Sequence, residues 1–99
     1  MFIIRTTIND ENKANIIADL LVVENIAASV HIRTIKNIIK NNDNIIHEDA
    51  FEVEGIVENP QDAFNKIKKI NNQQIPEFII YTALKTTQKF SDWVKQNCE

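Results

Sequence analysis

Residues 20–32, Leu-Leu-Val-Val-Glu-Asn-Ile-Ala-Ala-Ser-Val-His-Ile, constrain the fold more than any other stretch of this sequence. They join the end of an amphipathic helix to the start of an inner strand, with almost no slack between them. The chain has a single glycine, Gly55, so a helix that ends here in the left-handed conformation must use another residue. Asn25 suits that position, because a short amide side chain tolerates left-handed backbone. Ala27 and Ala28 follow at once, and Ser29-Val30-His31-Ile32 then has strand character. Two small residues at a strand start predict that something bulky packs against the backbone there.

The rest of the chain follows from this join in both directions. Residues 2–8, Phe-Ile-Ile-Arg-Thr-Thr-Ile, are β-branched and aromatic and predict a first strand. Asn9 or Asp10 caps the helix that follows, with Asp10 and Glu11 placed where the helix dipole favours acids. Ala14, Ile17, Ala18 and Leu21 form its buried stripe, widened by Ile16 and Leu20. The second strand is expected from Ile26 to about Ile35. Asn41-Asn42-Asp43-Asn44, flanked by Ile38-Ile39 and Ile45-Ile46, reads as a hairpin turn that extends the second and third strands past the body. The third strand, 51–57, alternates Phe51 and Val53 against Glu52 and Glu54; Gly55 marks a bulge or a close approach. Asn59-Pro60-Gln61-Asp62 is a helix start of cap, proline and acid, with Ala63, Phe64, Ile67 and Ile70 buried. Asn71-Asn72 stop that helix. Ile75-Pro76-Glu77 lead into a fourth strand over 78–84. A last helix begins near Thr86 or Thr87, with Phe90, Trp93 and Val94 on one side.

This order predicts an α+β fold: a ferredoxin-like βαββαβ sandwich with a C-terminal helix and an extended β2–β3 hairpin, in one domain over residues 1–99. Two helices cover one face of such a sheet and leave the other open. An exposed face should alternate, yet the first and fourth strands are apolar on both sides. A homo-oligomer in which open faces or hairpins cover one another is therefore expected; a third helix folded over the open face is the alternative. The net charge of −3 argues against nucleic acid and against an anionic membrane surface. No apolar run is long enough to span a bilayer. The single cysteine, Cys98, and an opening without a basic leader or an apolar core lead to the expectation of a cytoplasmic protein.

Several of these residues resemble the CutA divalent-cation tolerance family. They are Thr6-Thr7 closing the first strand, Ala14, Ile17-Ala18, Leu20-Leu21, Glu24, Ile26-Ala27-Ala28-Ser29-Val30, then Ile75-Pro76-Glu77-Phe78-Ile79, and Phe90-Ser91-Asp92-Trp93-Val94. The family-motif positions are thus Ala27, Ala28, Ser29, Pro76, Glu77 and Trp93. The resemblance runs through nearly the whole chain in order. It implies a ferredoxin-like subunit, a homotrimer similar to the PII signal proteins, no established enzymatic activity, and an association with tolerance of copper and other divalent metals. A metal ion such as copper, or a small ligand at subunit interfaces, is the partner it implies. Ser29 stands where the family has cysteine, which removes a soft ligand for copper. Asn71-Asn72-Gln73 replace a histidine-proline-tyrosine, and Ile39 to Asp43 replace an aromatic run of the hairpin.

His31 and His47 are the candidate metal ligands by residue type, one on each hairpin arm. Pairing about the turn at 41–44 sets them far apart in one subunit, so they would have to meet across an interface. Glu48, Asp49, Glu52 and Glu54 form an acidic edge, which suits a solvated strand as well as loose cation attraction. Glu77, after a proline at a strand start, is expected to hydrogen-bond to backbone or to a neighbouring chain rather than to act in catalysis. No nucleophile with an adjacent base can be named, and one glycine excludes the usual phosphate loop. An acylphosphatase-like enzyme on this fold would need an anion-binding loop after the first strand, where Asn9-Asp10-Glu11 is acidic. An RNA-recognition domain would need exposed aromatic and basic residues on the third strand, where Glu52 and Glu54 stand.

Overall fold

The computed structural model describes residues 1–71 and 77–98. Its elements are β1 (Phe2–Ile8), α1 (Glu11–Val23), β2 (Ala27–Asn41), β3 (Asn44–Val57), α2 (Pro60–Ile70), β4 (Phe78–Thr82) and α3 (Gln88–Asn97). The strands form one antiparallel sheet in the order β2-β3-β1-β4. This is the expected ferredoxin-like arrangement. Even-numbered residues of β1 and odd-numbered residues of the core part of β3 face α1 and α2. Ile4, Ile8, Val53 and Val57 there meet Ala14, Ile17 and Leu21 of α1 and Ala63 and Ile67 of α2.

The predicted join is present, but the strand it leads into, β2, lies at the edge of the sheet rather than inside it. Asn25 has φ 61°, in the left-handed region. Its N–H donates to the Val22 carbonyl at 3.1 Å, and the Ile26 N–H donates to the Leu21 carbonyl at 2.9 Å. That pair of bonds is a Schellman ending, which satisfies two carbonyls the helix would otherwise leave open. Ile26 then packs on the core that holds Leu21. Asp10 caps α1 by accepting from the Lys13 N–H at 3.1 Å, and Asn59 caps α2 by accepting from Gln61 and Asp62. Thr87 caps α3 through the Phe90 N–H.

Three details refine these expectations. Of the two alternatives at Gly55, the close approach holds: a Cβ built there would lie 3.3 Å from Val30 Cγ2 and 3.6 Å from Ile4 Cδ1. The bulge lies at Ala28, where the β2–β3 register shifts between Ala27 and Ser29. Second, the extension expected of the hairpin is present and makes β2 one continuous strand to Asn41, beyond the Ile35 first assigned as its end. Third, β4 ends at Thr82 rather than Leu84. Thr82 pairs with Phe2, the first residue of β1, so no partner strand remains for Leu84, which is 97% exposed. Ile75 and Pro76 lie outside the described residues, as do Asn72 and Gln73.

The hairpin decides the shape of the subunit. β1 pairs with β3 only as far as Ile8 opposite Phe51. The remaining seven residues of each arm, Ile35 to Asn41 and Asn44 to Ala50, continue alone for about 23 Å at the usual strand rise. Asn42 turns the chain with φ 57°. The long axis of the subunit is 47 Å against 25 and 21 Å for the others. Val94 of α3 is fully buried, yet it is outside the core under α1 and α2, and α3 reaches β2. Among the described residues no helix is long and apolar enough to cross a membrane.

Candidate functional site

On the sheet face away from α1 and α2, alternation places Ile3, Arg5 and Thr7 of β1, Ser29, His31 and Arg33 of β2, Glu52 and Glu54 of β3, and Ile79 and Tyr81 of β4. Opposite charges alternate across it. Arg33 donates to Glu52 at 2.6 Å and to Glu54 at 3.3 Å, and His31 Nε2 lies 3.7 Å from Glu54 Oε1. The expected acidic edge is thus corrected: Glu52 and Glu54 stand on an inner strand, paired on both sides and partly neutralised by their neighbours on β2. The Arg5 guanidinium sits 5.5 Å from the centre of the Tyr81 ring.

Glu77 organises the far end of this face. Its carbonyl accepts from the buried Thr6 hydroxyl at 2.6 Å, and its carboxylate accepts from Thr7 Oγ1 at 3.0 Å. Arg5 Nε lies 3.6 Å from the same carboxylate oxygen, an ion pair rather than a hydrogen bond. The two threonines that close β1 therefore tie it to the entry of β4. The Glu77 carboxylate thus bonds a side chain of its own subunit, where backbone or a neighbouring chain was expected.

Beside Glu77, along the outer part of the overhanging hairpin, is a cleft of about 400 Å³. Its body wall is Thr7, Asn9 and Glu77; its hairpin wall is Asn37, Ile39, Lys40, Asn41 and Glu48. The sequence reading missed this site. The asparagines looked like turn residues, and only the overhang of the hairpin brings them opposite the end of β1.

The other predicted residues are not brought together in a way that makes a metal centre. His31 pairs with Glu54, and His47 pairs with Ile38, seven ladder positions further along. That separation is about 23 Å, and alternation turns the two side chains to opposite faces. Among the described residues no three His, Cys, Asp or Glu side chains converge as a metal site would need. The described residues therefore do not fit a resident metal within one subunit. Ala27 is buried and Ala28 is the bulged residue, and Ser29 lies opposite Ile56. Cys98 reaches the same place, with its Sγ 3.9 Å from the Ile56 carbonyl. Burial raises its thiol pKa above the usual value, with the Glu58 charge adding to the effect and main-chain N–H groups of Glu58 and Ala28 opposing it. Trp93 stacks on Phe90 with ring centres 5.7 Å apart and remains 42% exposed. Pro76 lies outside the described residues.

Comparison with known proteins gives a consistent result. The family model described as CutA1 divalent ion tolerance protein matches residues 2–97. Among solved structures, CutA1 from Pyrococcus horikoshii superposes with a TM-score of 0.92 at 16% identity, over 100% of this chain and 99% of that one. The periplasmic divalent cation tolerance protein CutA from Archaeoglobus fulgidus gives 0.91 at 22% identity, over 100% of both chains. The PII-like protein CutA from Nostoc sp. PCC 7120, in apo form, gives 0.91 at 21% identity, over 100% of this chain and 98% of that one. At these identities the superpositions establish the fold. No curated protein matches by sequence.

Proposed function

The chain belongs to the CutA1 divalent ion tolerance protein family, and from that membership we propose that it acts as a non-enzymatic, cytoplasmic homotrimer in the response to divalent metal ions such as copper. The observation that carries the assembly is the unpartnered apolar surface. Ile38 and Ile45 at the hairpin are 59% and 67% exposed, and Ile80 and Tyr81 on the edge strand β4 are 49% and 42% exposed. Covering such side chains contributes about 1.5–3 kcal/mol each when burial is complete. An overhanging hairpin with exposed isoleucines and an uncovered edge strand are surfaces that a second and third copy would bury.

Two features support a role without turnover. The loop after β1, where an acylphosphatase-like enzyme would hold its anion, places the Asp10 carboxylate on the Lys13 N–H. Cys98 lies against main chain rather than against a general base. Since the described residues of one subunit bring together no metal centre, an ion involved in the response would be held between subunits. Light scattering on the purified chain tests the assembly, with a mass near three times 11.4 kDa expected; a monomer at micromolar concentration refutes it. Cells lacking the chain should grow less well at raised copper and recover when it is restored. Equal growth with and without it refutes the metal role. The cleft beside Glu77 favours a second reading, in which the chain senses a small ligand in the manner of PII-like proteins.

A further inference from the structure

We draw no further inference here: the strongest candidate, the outward apolar line of Ile16, Leu20 and Val23 along α1 beside Lys66 and Lys69 of α2, is an unpartnered helix face, and with Lys66 already matched by Glu24 nothing in the structure shows what covers it.

Discussion

Replacing Asn25 tests the reasoning about the helix-to-strand join directly. Asn25 holds φ 61° and supplies the turn that lets Ile26 return to the Leu21 carbonyl at 2.9 Å. This conformation costs an ordinary residue about 1–2 kcal/mol, asparagine less, and glycine nothing. Asn25→Ala should therefore cost about 1 kcal/mol, and Asn25→Val more, since a β-branched side chain fits this region worst. Asn25→Gly should stay within about 0.5 kcal/mol of the parent, because its relaxed folded backbone is offset by a freer unfolded chain. For a chain of this size, about 1 kcal/mol is about 4–8 °C in melting temperature. The assay is thermal unfolding followed by far-UV circular dichroism, at one fixed protomer concentration because assembly adds stability by mass action. The expected order is glycine and asparagine together, then alanine, then valine. If alanine matches asparagine, or valine is no worse than alanine, the left-handed ending does not limit the stability of this join.

Gly55→Val should cost about 1–3 kcal/mol by overpacking, measured by urea unfolding, since even a Cβ there already lies 3.3 Å from Val30 Cγ2. Asn59→Ala removes the acceptor for two N–H groups at the start of α2 and should cost about 0.5–2 kcal/mol in the same assay. Cys98 has a raised pKa because folding favours its neutral form, so it adds stability below the unfolded thiol pKa that is lost as pH rises through the folded value. Iodoacetamide should accordingly label Cys98 more slowly than a free thiol at about pH 8, near the ordinary thiol pKa, with the difference shrinking at higher pH; equal rates would contradict this. Arg33→Ala should change stability by less than about 1 kcal/mol despite the 2.6 Å contact with Glu52, because the arginine side chain is 60% exposed and screened by solvent.

Local chemistry explains which features were legible in the sequence. Asp10, Asn25 and Asn59 act through hydrogen bonds to residues no more than a few positions away, so their roles can be read from neighbours in the chain. The alternation of Phe51-Glu52-Val53-Glu54 gives the faces of β3 in the same way. The bulge at Ala28 was not legible. It depends on how β2 meets β3 across the sheet, and nothing near Ala28 distinguishes it from Ala27. The end of β4 was also hidden, since Leu84 continues the apolar pattern and only the end of β1 leaves it without a partner. The position of His31 relative to His47 lay between these cases. Their wide separation followed from pairing about the turn, and the register added that they face opposite ways.

The sequence by itself determined the element order, the caps, the join at Asn25 and the family to which the chain belongs, because each depends on residue type over short spans. The tertiary structure alone decided how far the hairpin overhangs the body, and therefore that Asn37, Lys40 and Glu48 stand across a cleft from Thr7, Asn9 and Glu77. A whole helix and more of chain separates each wall from the other in sequence. No local rule brings them together, and only the register that β1 and β2 each share with β3 does so.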